Sequence, residues 1–226
     1  MIITILTLFP EMFSGPFDLS ILKRAKEKNL IQIECINIRD FATDKHKSVD
    51  DHPYGGGTGM ILRVDVVDRA LTSVRQQYSN TAIKQLTILL DPRGKTYTQS
   101  VAEELATYEH IILLCGHYEG VDERIRTLVD QEISIGDYVV TGGEIPAMII
   151  VDSITRLLPG VLVHPDATSQ ESFHGTLEYP QYTRPEEYKG QNVPAILRSG
   201  NHKHITSWKQ EEAKRITKKH RPDMLK

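Results

Sequence analysis

The chain has 226 residues, 39% of them hydrophobic and 25% charged, which suits one large folded domain or a larger and a smaller one and excludes a disordered polymer. No stretch approaches the ~20 apolar residues that cross a bilayer, and two cysteines, Cys35 and Cys115, are too few for a disulfide framework and lack metal-ligand spacing. The net charge of −3 is unevenly spread: positions 198–226 hold nine Lys/Arg against three Asp/Glu, a basic tail on an acidic body that points to a polyanionic partner or to a solvated helical face.

The opening segment 1–7 lacks a basic leader region and soon meets Pro10-Glu11, so it reads as a strand rather than a signal peptide, and a cytoplasmic protein is expected. Further short runs of Ile, Leu and Val extend the strand set to 2–8, 31–36, 86–90, 111–115 and 138–140. Helical spacing over 19–28, 64–76, 99–108 and 121–129 fills the gaps between them. This alternation predicts an α/β fold with a mostly parallel sheet. A helix over 144–158 tolerates Pro146 in its first turn and ends before Pro159-Gly160. The stretch 160–185 is rich in Pro, Gly, Ser, Thr and His and reads as a long loop. Helices over 193–198 and 201–220 follow, separated by Ser199-Gly200, with Asn201 as an N-cap. The expected division is an α/β domain over 1–159, a flexible linker or lid over 160–185, and a small basic helical domain over 186–226.

In open parallel sheets, ligands bind where loops gather at the carboxyl ends of strands. Three strands here end in loops rich in Gly or Pro: Asp91-Pro92-Arg93-Gly94, the segment 116–120, and Gly136 with Gly142-Gly143. Three such loops on neighbouring strands favour a shared pocket. Neither G-x-x-x-x-G-K-[ST] nor G-x-G-x-x-G after the first strand occurs, which argues against P-loop and ordinary dinucleotide sites. Glu119, Asp122, Asp137 and Glu144 give these loops an acidic character that suits a cationic or zwitterionic ligand. A second glycine cluster, 53–60, forms a bent loop that either wraps a flat ligand or merely connects. The 160–185 stretch carries His164, Asp166, Glu171, Ser172, His174, Glu178, Tyr182 and Arg184; a carboxylate there is a general base if the segment closes over a site, or else part of a solvated loop. In the tail, Lys214, Arg215, Lys218, Lys219 and Arg221 can form one phosphate-binding patch, and Trp208 either stacks on a base or packs internally.

Seven segments in order carry a resemblance: 8–13, 53–57, 115–120, 134–139, 141–144, 182–185 and 199–202. Together they resemble the bacterial tRNA (guanine-N1)-methyltransferase (TrmD) family of the SPOUT superfamily, over residues 1 to about 222. The resemblance implies an α/β fold with helices on both faces of the sheet, a deep trefoil knot and a small C-terminal helical domain. It implies a homodimer with active sites shared between subunits, S-adenosylmethionine as cofactor, magnesium assisting transfer, and the guanosine at position 37 of tRNA as substrate. The implied cofactor residues are Leu90, Pro92 and Gly94; Gly116, Tyr118, Glu119 and Gly120; Ser134, Ile135, Gly136, Asp137, Tyr138, Val139 and Val140; and Gly142, Gly143 and Pro146. Those implied for tRNA are Asp50, Tyr54, Gly55, Gly56, Arg184, Ser199, Gly200, Asn201, His202, Lys214, Arg215 and Lys218. Arg156 corresponds to the family's catalytic arginine. Glu171 stands at its catalytic aspartate, with Glu178 a nearby alternative, and His117 where many members have arginine. Two other readings are a SPOUT ribose 2′-O-methyltransferase and a non-catalytic RNA-binding module.

Overall fold

A computed structural model describes residues 1–78, 83–164, 168 and 171–225, so Asp166 lies outside the described residues. They divide into two compact units, Met1–Val163 and His164–Lys226. In chain order the first unit contains β1 (Ile2–Thr7), α1 (Ser20–Glu27), β2 (Gln32–Asn37), β3 (Asp50–Asp51), β4 (Ile61–Leu62), α2 (Val64–Gln77), β5 (Gln85–Thr96), α3 (Gln99–Leu105), β6 (His110–Cys115), β7 (Gln131–Ser134) and α4 (Glu144–Thr155). The second contains β8 (Glu187–Tyr188), β9 (Gln191–Asn192) and α5 (His202–His220).

Five strands form one sheet in the order β2-β1-β6-β5-β7, and every neighbouring pair is parallel. Parallel strands need covered faces, and strand alternation supplies the two apolar surfaces. Ile3, Ile5, Ile88, Ile111 and Leu113 share a core with Leu22 of α1, Leu105 of α3 and Ile150 and Ile154 of α4. Leu6, Leu89, Ile112 and Leu114 pack on the opposite side with Val67, Leu71 and Val74 of α2. Helices therefore cover both faces. Among the described residues no helix is long and apolar enough to cross a membrane.

Three segments depart from the expected elements. The apolar run 138–140 is not a strand: Tyr138, Val139 and Val140 are exposed, and the last sheet strand is β7, a few residues earlier. The chain leaves the sheet after Ser134, where Gly136 takes φ +144° and accepts a hydrogen bond from the Tyr138 N–H at 2.9 Å. The expected helix over 121–129 is a 3-10 segment, Glu123–Leu128, started by the Asp122 side chain accepting from the Arg124 N–H. Val121 ahead of it is bridged in parallel to Leu62, which holds it extended. The expected helix over 193–198 is likewise a 3-10 turn, Ala195–Arg198, entered through Pro194, whose ring fixes φ and removes a donor.

Candidate active site

The site follows from the strand order. Because β6, β5 and β7 are parallel neighbours, their carboxyl ends lie together. β5 bulges after Leu90 and regains its pairing with β7 at Lys95, which pushes Asp91, Pro92 and Arg93 out of the ladder; a bulge is where a strand tolerates proline. The loop after Cys115 and the segment between β7 and α4 complete a cleft of about 420 Å³, inside the ~300–1,000 Å³ range of small-molecule sites. Leu90, Gly116, Tyr118, Glu119, Gly120, Ser134, Ile135, Tyr138, Val139 and Val140 all line it, with Pro92, Gly142, Gly143 and Pro146.

Close backbone approach explains the glycine at the entry to α4. A Cβ on Gly143 would lie 2.5 Å from the Cα of Cys115, and the Gly143 N–H donates to the Gly116 carbonyl at 2.8 Å. Three residues expected at the cofactor do not line the cleft. Gly94 lies against β7, where a Cβ would sit 2.4 Å from the Ile133 nitrogen. Gly136 makes the turn under the Tyr138 ring, and Asp137 is exposed.

Two polar arrangements at the cleft were not legible in the sequence. In one, Glu144 in the first turn of α4 is 2% exposed. The Thr7 hydroxyl donates to its Oε1 at 2.7 Å, and its position near a helix N-terminus favours negative charge. His117 Nδ1 stands 3.9 Å from Glu144 Oε2, beyond hydrogen-bond reach; it is buried and has no hydrogen-bond partner among the described residues. In the other, Arg126 pairs with Asp91 at 3.1 Å, with Glu123 at 3.1 Å and with Glu132, while Arg93 takes both oxygens of Glu123 at 2.9 and 3.1 Å. Asp91, Arg93, Glu123 and Arg126 all line the cleft. The clustered charges of 122–126 were the available signal, but the partners lie up to 35 positions away.

The second glycine loop is anchored beside the first. Leu62 of β4 donates to the Gly120 carbonyl and accepts from the Asp122 N–H, both at 3.0 Å, and the Glu119 N–H donates to Met60 O at 3.0 Å. The loop carrying Gly55 and Gly56 thus has a fixed base while Tyr54 at its tip is fully exposed. Asp50, on β3, is close to Tyr118, whose hydroxyl also accepts from Arg39 at 3.1 Å. Burial, and then Asp50, push the Tyr118 phenol above its ordinary pKa, with Arg39 opposing.

Arg156 caps the carboxyl end of α4 in the first unit and is half-buried. Glu171 belongs to the second unit, as do the expected RNA-facing residues from Arg184 onward. Asn201 does cap α5, its Oδ1 accepting from the His204 N–H at 3.2 Å, with Ser199, Gly200 and His202 exposed around it. Lys214 and Lys218 are exposed on α5, whereas Arg215 is engaged by Glu212 at 2.6–3.0 Å. Among the described residues no group of three or more His, Cys, Asp or Glu converges as a metal site would.

The fold and the cleft define an α/β protein with a small-molecule site at the carboxyl ends of a parallel sheet. A family model described as tRNA (Guanine-1)-methyltransferase TrmD matches residues 1–226. The chain is similar to proteins named tRNA (guanine-N(1)-)-methyltransferase from Dictyoglomus turgidum, 53% identical over 99% of this chain and 89% of the relative, and from Alkaliphilus metalliredigens, 56% identical over 99% and 91%. That from Desulforudis audaxviator is 52% identical over 100% and 90%. The chain belongs to this family of methyltransferases, and methylation of a tRNA guanine at N1 is its activity.

Proposed function

We propose that the cleft binds S-adenosylmethionine and that the acceptor is the guanosine at position 37 of tRNA, on the 3′ side of the anticodon. The observation carrying this is the convergence of three neighbouring strand ends on one glycine-walled cleft, in a chain matched over its whole length by the family. The residues fit such a donor. Tight approaches of side chains at Gly142 and of backbone at Gly143, a buried His117 nitrogen with no hydrogen-bond partner among the described residues, and the Glu119 carboxylate offer a narrow slot, a polar contact and an anionic group for a cation. The bound donor supplies an electrophilic methyl group. The family's trefoil knot is part of this reading.

Guanine N1 carries a proton and is a poor nucleophile until that proton leaves. Glu171 is the general base that accepts it. Arg156 stabilises the negative charge that develops on O6. Leu90, Ile133, Ile135 and Val140 give the cleft apolar walls that keep water out. Magnesium assistance would draw on substrate oxygens for its ligands, since no group of three or more His, Cys, Asp or Glu converges among the described residues. The RNA-facing groups are Asp50, Tyr54, Gly55 and Gly56 in the first unit, and Arg184, Ser199–His202, Lys214, Arg215 and Lys218 in the second. The 160–185 stretch joins the catalytic and RNA-binding parts, and Glu171 within it belongs to the second unit. The enzyme works in the cytoplasm as a homodimer, a reading supported by Ile145 and Ile149 of α4, 44% and 40% exposed, and Val139, 85% exposed; sedimentation at a single-chain mass would contradict it.

Methyl transfer to tRNA transcripts carrying guanosine or adenosine at position 37, followed by mass spectrometry of the nucleosides, tests the proposal. The expected product is N1-methylguanosine from the first transcript only. A methyl group on a ribose hydroxyl, or equal labelling of both transcripts, refutes it.

A further inference from the structure

The second unit holds a side chain whose burial and bonding are out of keeping with its surroundings. Thr217, in the last turn of α5, is 0% exposed on a helix whose neighbouring positions Lys214, Arg215, Lys218 and Lys219 are all exposed. Its hydroxyl donates to the Ala213 carbonyl at 2.7 Å and accepts from the Leu177 N–H at 2.8 Å, so both of its roles are filled. The second bond joins α5 to a segment 40 positions earlier, in a stretch with no helix or strand of its own.

That segment is a closed loop. The Glu178 N–H donates to Ser172 Oγ at 3.1 Å and the Phe173 N–H to the Thr176 carbonyl at 3.0 Å, which brings the two ends of 172–178 together. Glu171 sits at its mouth, its carbonyl accepting from the His174 N–H at 3.4 Å. Two further contacts flank the Thr217 bond on the same helix: the Arg221 guanidinium lies 5.7 Å from the Phe173 ring centre, and the Lys209 ammonium 4.6 Å from that of Tyr179, both within cation–π range. Of the three ties the Thr217 bond alone is made by a fully buried side chain, and it is the one that specifies a register between loop and helix.

We propose that Thr217 is a positioning residue that fastens the Glu171 loop to the buried side of α5, so that the carboxylate and the RNA-gripping helix travel as one body. A tRNA held by α5 then brings its own general base, and a helix without RNA leaves the base unaligned with any substrate. The catalytic arm of this inference rests on Glu171 being the base; the fastening itself rests only on the contacts above.

The test uses the full-length chain with Thr217→Val, which keeps the side-chain shape and removes the acceptor, and Thr217→Ser, which keeps the hydroxyl. Losing a half-buried hydrogen bond shifts an alignment equilibrium by on the order of tenfold. Thr217→Val is therefore expected to lower kcat about tenfold, with affinities for S-adenosylmethionine and tRNA within about twofold of the parent, and to speed amide exchange at Leu177 by a similar factor. Thr217→Ser is expected to restore all of these. Unchanged exchange at Leu177 overturns the fastening, and so does a rate loss matched by an equal loss of tRNA affinity, since Thr217 would then support only the helix surface. Should the valine variant lose helical signal, Phe173→Leu, which removes the ring beneath Arg221, is read instead, with a smaller loss of kcat expected and unchanged kcat overturning the proposal. Glu171→Gln assayed in parallel separates the two readings: normal turnover there removes the base assignment, and Leu177 exchange still decides the fastening.

Discussion

Single side chains carry most of the chemistry argued above, and they differ sharply in how visible they were. Glu171 could be named because it sits in a recognisable run ahead of Ser172-Phe173, and the role proposed for it makes a direct prediction. Glu171→Gln keeps size and hydrogen bonding but cannot take a proton, so single-turnover methyl transfer should fall by about 10²–10⁴-fold while S-adenosylmethionine still binds; near-normal transfer would exclude the assignment. Glu144, by contrast, is joined to Thr7 by folding across 137 positions and is approached by His117 from the loop after β6, and no local pattern announces such contacts. The same holds for His110, 0% exposed at the start of β6, with Nε2 2.9 Å from Thr4 Oγ1 and Nδ1 3.2 Å from Gln85 Nε2. Burial lowers its pKa below the ordinary 6.5, only partly opposed by Glu34. The unfolded chain therefore binds a proton near that pH which the folded chain refuses until lower pH, so this contribution is present above about 6.5 and is lost as pH falls. Thermal unfolding should show a drop in Tm between pH 7.5 and 5.5 that is smaller in His110→Asn; equal drops in both would contradict the cause given.

Among the elements, periodicity found what has a period. β1, β2, β6, α1, α2, α3, α4 and α5 are amphipathic or apolar runs bounded by turns, and each was readable from its own residues. What escaped was decided by neighbours. The run 138–140 has the composition of a strand, yet it leaves the sheet and lines the cleft, because the sheet edge is already occupied by β7. β5 continues through Pro92 to Thr96, where a sequence reading stops at Leu90, because β7 offers a ladder that resumes after the bulge. Arg126 holds that bulge in place: it is 12% exposed and faces Asp91 and Glu132 from the two strands concerned. Its removal leaves those carboxylates without their cation, a change that in partly buried settings costs about 1–3 kcal/mol. Arg126→Met is thus expected to lower Tm and to raise KM for S-adenosylmethionine while KM for tRNA stays constant. A variant with unaltered KM for both would mean that the network stiffens the fold without shaping the cleft.

Across the full chain, the charge asymmetry separates an acidic body from a basic tail beginning at 198, whereas the two compact units divide between Val163 and His164. The boundary was harder to see. Residues 171–178 read as linker from their Ser, Gly and His content, but their hydrogen bonds and ring contacts tie them to α5, a partnership that depends on one buried threonine rather than on composition. The proposed methyl transfer requires the first unit to grip a methyl donor in the cleft at the carboxyl ends of β5, β6 and β7. The most direct measurement is a calorimetric titration of S-adenosylmethionine into the full chain and into Ile135→Trp, which adds bulk at the cleft wall. One donor bound per parent chain, with affinity at least about tenfold weaker in the variant and tRNA binding unchanged, is the predicted result; no binding to the parent, or equal affinity in both, would contradict it.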